Sequence, residues 1–130
     1  MAVEARFRKS VSWQKSMDLA TMVYDVTRTF PKEEMFGLTS QLRRASVSIA
    51  SNIAEGQGRS TVGEFIQFLG MARGSALEVQ TQLELALRLN FGKAAEVEAA
   101  QAKAIEVGII LNSALTTMRT RAAAKSKKII

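Results

Sequence analysis

The chain has 130 residues, the length of one compact domain, and we treat residues 1–130 as a single domain. With 47% hydrophobic and 23% charged residues, its composition is that of a folded globular protein. It contains no cysteine and no histidine, which excludes disulfides, thiolate chemistry and imidazole metal ligands. We therefore expect a non-enzymatic protein with no catalytic residue, no metal and no cofactor. The single proline disfavours a turn-rich β protein and favours an all-α fold.

The net charge of +6 comes from the two ends of the chain. A basic arm over residues 1–10 carries +2, a basic tail over residues 119–130 carries +5, and residues 11–118 carry −1. Basic tails bind polyanions by releasing counterions, and they also keep small proteins in solution, so the charge pattern leaves both interpretations open. The bases of the two ends are Arg6, Arg8, Lys9, Arg119, Arg121, Lys125, Lys127 and Lys128.

No segment is apolar for long enough to be a targeting or membrane segment. Residues 1–10 are charged and polar and lack the apolar centre of a signal peptide. The longest apolar run, residues 107–111, is far shorter than the roughly 20 residues of a membrane span. We expect a cytoplasmic protein that does not interact with a membrane.

The first predicted helix covers about residues 12–29. It ends before Pro31, because proline disfavours helical geometry at the residue that precedes it. Apolar residues at helical spacing predict its core face, and Leu19, Val23, Val26 and Phe30 widen that face. The stripe consists of Trp13, Met17, Ala20, Tyr24 and Thr27.

The second predicted helix covers about residues 33–56 and stops at the glycines that begin with Gly56. The pattern leaves open whether Gly37 divides this segment into a short turn and a main helix. Its core stripe consists of Leu38, Leu42, Ala45, Ile49 and Ile53.

The third and fourth predicted helices, about residues 61–89 and 93–122, alternate spacings of three and four between apolar residues, the period of helices in a bundle. The stripes are Phe65, Leu69, Ala72, Ala76, Val79, Leu83 and Ala86 in the third helix, and Val97, Ala100, Ala104, Val107, Leu111, Ala114 and Met118 in the fourth. Because short connections force neighbouring helices to be antiparallel, we predict an all-α, up-down-up-down four-helix bundle.

Several apolar residues lie off these stripes, more than one core face needs. They either broaden the core or form an interface, and we favour an oligomer. These residues are Leu19, Met22, Val26, Ile66, Leu77, Leu87, Ile105 and Ile109.

Small residues in the second and third helices predict a close approach of their backbones. Gly70 and Gly74 each cost about 1 kcal/mol in a helix, and a close contact would offset that cost. Ser48, Asn52 and Ser75 would then form buried hydrogen bonds across the contact. We therefore predict that Gly74→Leu unfolds or dissociates the protein.

A set of motifs resembles the four-helix-bundle proteins encoded within intervening sequences of bacterial 23S ribosomal RNA genes. The motifs are Trp13 with Met17, Ala20 and Tyr24; residues 29–34 and 36–38; residues 40–45; residues 48–56; and Glu64-Phe65, Phe68-Leu69, residues 72–75 and Glu78. The resemblance implies a ring-like homo-oligomer, with a pentamer favoured. A related accessory protein of diversity-generating retroelements has this fold and binds nucleic acid and a reverse transcriptase. The family commonly has proline at Ala50, so a kink expected there would be weak or missing.

Arg43, Arg44, Arg59 and Arg73 are candidate phosphate ligands if they share one surface with the tails. Alternatively, some of them form ion pairs with glutamates such as Glu55, Glu64 and Glu78. Base stacking needs exposed aromatic side chains, and with Trp13, Tyr24 and Phe65 predicted on core faces only Phe7 and Phe91 are candidates.

Two functional hypotheses remain. The favoured one is an oligomer that binds structured RNA, or another nucleic acid, through phosphate contacts. The alternative is a scaffold whose ring binds another protein without direct RNA binding. Nucleotide hydrolysis is disfavoured, because residues 56–61 lack the spacing and the lysine of a phosphate-binding loop.

Overall fold

The computed structural model describes residues 3–129, and side chains from Arg6 to Lys125. This part of the chain is all-α and contains no strand. The four α-helices are α1, Val11–Thr27; α2, Leu38–Gln57; α3, Val62–Arg88; and α4, Ala94–Ile129. Two 3-10 helices, Val3–Lys9 and Lys32–Glu34, precede α1 and α2. Among the described residues, no helix is both long enough and apolar enough to span a membrane.

Each helix packs against two others: α1 and α3 each contact both α2 and α4. Hydrogen bonds set the register of α2 on α3, with Ser48 Oγ 3.0 Å from Ser75 Oγ and Gln82 Nε2 donating to Gln41 Oε1 at 3.4 Å. The shared core is formed almost entirely by aliphatic side chains, since burying apolar surface is the main force that holds such helices together. The largest fully buried residues are Leu19, Val23, Leu42, Ile49, Ile53, Leu69, Val79, Leu83, Val97, Val107, Leu111 and Leu115.

The core face of α1 lies on the side of the residues that widen the predicted stripe, and two residues of the stripe itself are not in the core. Met17 and Tyr24 are 43% and 41% exposed, whereas Leu19 and Val23 are fully buried. The apolar residues of α1 cover more than half of its circumference, so their spacing fits two faces, and contacts with α2 and α4 select one of them. Ser16 is buried on the selected face and donates its hydroxyl hydrogen to Ser12 O at 2.7 Å, so that it needs no water.

The helix boundaries also differ at two places. Residues 33–37 lie outside α2, because Gly37 adopts a non-helical conformation and the Glu34 carboxylate accepts a hydrogen bond from Leu38 N at 3.0 Å. An acid at this position stabilises a helix start by capping it and by its favourable interaction with the helix dipole. At the other end of the chain, α4 continues past residue 122 to Ile129, since Ala122 to Lys125 are good helix formers. The helix α2 runs without interruption through Ala50.

Candidate nucleic-acid interface

The two basic ends of the chain lie at the same end of the bundle. One groove is lined by Ser10, Val11 and Ser12 from the start of α1, by Gln57 and Phe65 from the ends of α2 and α3, and by Ser113, Thr117 and Met118 from α4. The basic segment before α1 and the basic end of α4 are therefore close together. We call this region the basic end; its described bases are Arg6, Arg8, Lys9, Arg59, Arg119, Arg121 and Lys125.

The N-terminal basic residues lie on a packed segment, not a free arm. The 3-10 helix Val3–Lys9 contacts α1 and α2, and Gln14 Nε2 donates a hydrogen bond to Arg8 O at 2.9 Å. Phe7 packs edge-on against Trp13 with the ring centroids 5.2 Å apart, so it is not the exposed stacking residue that the sequence predicts. Arg6, Arg8 and Lys9 remain exposed.

The C-terminal basic residues extend along the end of α4. Arg119, Arg121 and Lys125 are exposed, and the chain contains no acid after Glu106. Arg121 and Lys125 are four residues apart and therefore lie on the same side of the helix. The side chains of Lys127 and Lys128, which the sequence also predicts as phosphate ligands, lie outside the described residues.

Glu106 pairs with bases near the middle of the bundle. Its Oε1 lies 3.0 Å from Lys15 Nζ and 3.7 Å from Lys103 Nζ. The hydrogen bond with Lys15 lowers the pKa of Glu106 and raises the pKa of Lys15, because it favours the charged form of both groups. The last acid of the chain is therefore already paired with lysines outside the basic end.

The structure does not bring Arg43, Arg59 and Arg73 onto one surface. Arg43 lies between α1 and α2, where its Nε donates to Thr27 Oγ1 at 2.9 Å and its guanidinium covers the Tyr24 ring at 4.7 Å. Arg73 lies between α3 and α4 and donates to Asn112 Oδ1 at 3.3 Å.

Arg59 is the one arginine of this set at the basic end. Its guanidinium lies 3.7 Å from Glu55 Oε1 and 3.9 Å from Glu64 Oε2, and it covers the Phe68 ring at 4.6 Å. Arg59 therefore forms ion pairs with glutamates, which the sequence left open as the alternative to phosphate binding. Arg43 and Arg73 instead donate hydrogen bonds to uncharged side-chain oxygens. Arg44 is exposed beside Arg43.

The predicted contact between small residues is only partly present. Ser48 and Ser75 form their hydrogen bond across α2 and α3, but Asn52 donates within its own helix to Ser48 O at 2.8 Å. A Cβ placed on Gly70 or Gly74 would meet no atom within 4 Å, so these glycines do not serve the α2–α3 contact. The close approach predicted at Gly74 is therefore absent within one chain, and the expectation that Gly74→Leu unfolds or dissociates the protein stays a prediction.

The close approach of α2 and α3 occurs instead at Gly56. A Cβ at this position would lie 2.8 Å from the Cβ of Phe68 and 3.0 Å from Cδ1 of Phe65. In the sequence, Gly56 indicates only a helix stop. Its position at the contact between α2 and α3 depends on how α3 packs against α2, and the local sequence pattern does not specify that packing.

Charges at the opposite end of the bundle are mixed, with more acids than bases. There the end of α1 lies beside the start of α4, and the start of α2 lies beside the second half of α3. Its acids are Asp25, Glu33, Glu34, Glu84, Glu96 and Glu98, and its bases are Arg28, Lys32, Arg88 and Lys93. The bundle therefore has a charge asymmetry along its long axis.

The fold and the charge distribution describe a small all-α bundle protein with one basic end. Comparison with known proteins then shows its family. The chain belongs to the family of 23S rRNA-intervening sequence proteins, whose family model matches residues 8–113. The fold is similar to the crystal structure of a protein with unknown function from the S23 ribosomal protein family of Bacteroides thetaiotaomicron VPI-5482. That match has a TM-score of 0.75 and 24% sequence identity, and it covers 81% of this chain and 98% of the other. A comparison with curated proteins gives no match.

Proposed function

We propose that this protein is a cytoplasmic homo-oligomer that binds structured RNA. The exposed bases of its basic end contact the phosphates of the RNA. The observation that carries the proposal is the convergence of the N-terminal and C-terminal bases at one end of the bundle. The proposal includes alternating up-down-up-down helices, which the α2–α3 hydrogen bonds support because residue numbers fall on α3 as they rise on α2. It also includes a ring of copies, with five favoured by the family resemblance.

The chemistry of the basic end favours contacts with the RNA backbone over base recognition. Its exposed charged side chains are mostly guanidinium and ammonium groups, with Glu55 and Glu64 beside Arg59, whereas Phe7 and Phe65 are half-buried there. Such contacts give affinity that falls steeply with salt and discriminates weakly between sequences. A ring would present several basic ends to one structured RNA, which raises the overall affinity through effective concentration.

Removing the exposed charges of α4 should weaken RNA binding. The test variant is Arg119→Gln/Arg121→Gln/Lys125→Gln, whose three positions are all exposed. Because three phosphate-binding charges are removed, we expect affinity for a structured ribosomal RNA fragment to fall on the order of tenfold or more near 150 mM salt. The slope of log affinity against log salt should become shallower by roughly 2 units. Fluorescence anisotropy over a salt series measures both quantities.

The matched control is Arg28→Gln/Lys32→Gln/Lys93→Gln, which removes the same charge from exposed positions at the opposite end. We expect this control to bind RNA nearly as well as the wild type. Equal losses in the two variants would mean that net charge alone attracts RNA. Undiminished binding by the α4 variant would contradict the proposed interface, and absence of RNA binding by the wild type would favour the protein-binding scaffold.

A further inference from the structure

Two exposed surfaces lie on either side of α2. The first lies along the α1–α2 side, where Phe36 projects beside a shallow groove of about 510 Å³, and we call this surface the aromatic ridge. It is lined by Tyr24, Met35, Phe36, Thr39, Ser40, Arg43, Arg44, Val47 and Ser48. Phe36 is 96% exposed, so nearly its whole ring is in water. Apolar surface of this kind on a folded chain usually marks an interaction site, since burying it is favourable. The pattern along α2 does not reveal this exposure, because Phe36 precedes the helix.

The second surface, which we call the α3 groove, lies between the start of α2 and the second half of α3. It has a volume of about 660 Å³ and is lined by Glu34, Gly37, Leu38, Gln41, Gly74, Leu77, Glu78, Thr81, Gln82 and Leu85. Leu77 and Leu85 are 53% and 46% exposed. The groove is therefore an apolar concave surface in contact with water.

The groove also contains features that its own chain leaves unexplained. Gly74 lowers the stability of α3, yet a Cβ there would meet no atom of the described chain within 4 Å. Gln82 is 92% buried, and its Oε1 has no hydrogen-bond partner among the described residues. An incoming chain that packs on Gly74 and donates a hydrogen bond to Gln82, after a rotation of that amide, would account for both.

The two surfaces have complementary charges. The lining of the aromatic ridge includes Arg43 and Arg44 and no acid, whereas the lining of the α3 groove includes Glu34 and Glu78 and no base. Arg44 and Glu78 are exposed, and neither forms an ion pair among the described side chains. Opposite charges around two apolar centres favour pairing of the ridge with the groove over pairing of either surface with itself.

We propose that the aromatic ridge of one copy of this chain packs into the α3 groove of the next copy. Phe36 lies over Gly74 beside Leu77, and Arg44 faces Glu78. Since the two surfaces differ, the contact is head-to-tail and leaves a free ridge and a free groove until a ring closes. This inference rests on the proposed oligomer and assigns its interface. A second copy is a better occupant of the groove than RNA, because the groove carries acidic side chains that repel phosphates.

Single substitutions on each surface test the interface. Phe36→Asp breaks the ridge and Gly74→Leu fills the groove, and neither position is packed within its own chain. We expect both variants to keep the helical circular dichroism of the wild type, and their subunit dissociation constants to rise at least 100-fold. Light scattering across a concentration series measures the mass. The controls are Met17→Asp, at another exposed apolar position, and Gly63→Leu, at another α3 glycine with no neighbour within 4 Å; both should assemble normally.

Mixing the two interface variants tests the head-to-tail geometry. Phe36→Asp retains a groove and Gly74→Leu retains a ridge, so equal amounts should form a 1:1 heterodimer that grows no further. A wild type that is monomeric at every concentration would overturn the oligomer and the interface together. A wild-type oligomer whose mass is unchanged by both substitutions would overturn the interface alone. So would a Phe36→Asp protein of normal mass that no longer binds RNA, because the ridge would then be an RNA surface.

Discussion

The Gly56→Ala protein is expected to be less stable than the wild type by about 1–3 kcal/mol, the usual cost of overpacking. The added Cβ would lie 2.8 Å from the Cβ of Phe68. Because both atoms are attached directly to helix backbones, no side-chain rotation relieves the clash, and α2 and α3 must separate. At roughly 3–5 °C per kcal/mol for a domain of this size, the melting temperature should fall clearly.

The control for this substitution is Gly70→Ala. A Cβ at Gly70 meets no atom within 4 Å, and alanine favours the helix, so this variant should gain about 0.5–1 kcal/mol. Urea unfolding followed by circular dichroism, at one fixed protein concentration, measures both free energies. Equal effects of the two alanines would contradict the assignment of Gly56 as the close contact between α2 and α3.

The Leu111→Ala protein should lose about 2–5 kcal/mol of unfolding free energy. Leu111 is fully buried in α4 within the shared core, so truncation removes apolar contacts and leaves a cavity. The same unfolding measurement reports the loss, and the dependence of the free energy on urea should keep its slope if the native fold is retained.

Ile109 offers a matched control two residues earlier in the same helix. It is 64% exposed, so Ile109→Ala removes little packed surface and should change the free energy of unfolding by less than about 1 kcal/mol. A loss of unfolding free energy similar to that of Leu111→Ala would contradict the structure, because it would mean that α4 is rotated about its axis and buries Ile109.

The sequence predicts α2 and α3 well and α1 less well, and the difference has a physical cause. In α2 and α3 the spacing of three and four keeps one phase along the whole helix, and residues such as Leu42 and Leu83 are in the core as predicted, although α3 also carries the exposed Leu77 and Leu85. In α1 the apolar residues are too widespread for one phase. Met17 and Tyr24 fit the helical period as well as Leu19 and Val23 do, and only packing against α2 and α4 decides between them.

The basic end likewise depends partly on composition and partly on tertiary packing. The charges of residues 1–10 and 119–130 are evident from composition, but their meeting at one end of the bundle depends on how α1 and α4 pack against their neighbours. Residue type alone groups Arg43, Arg59 and Arg73, and the structure separates them. Arg43 and Arg73 are directed by their positions on α2 and α3 and by local partners, whereas Arg59 lies in the connection between these helices.

Local spacing and composition are enough to specify the all-α class, the four helices, the faces of α2 and α3 and the excess of base near both ends. Tertiary packing is needed to specify which glycine lies at a helix contact, which α1 face is buried and which aromatic side chain is exposed. Gly56, Gly74 and Phe36 illustrate this limit. Their surroundings are formed by residues distant in the chain, and no local pattern specifies those neighbours.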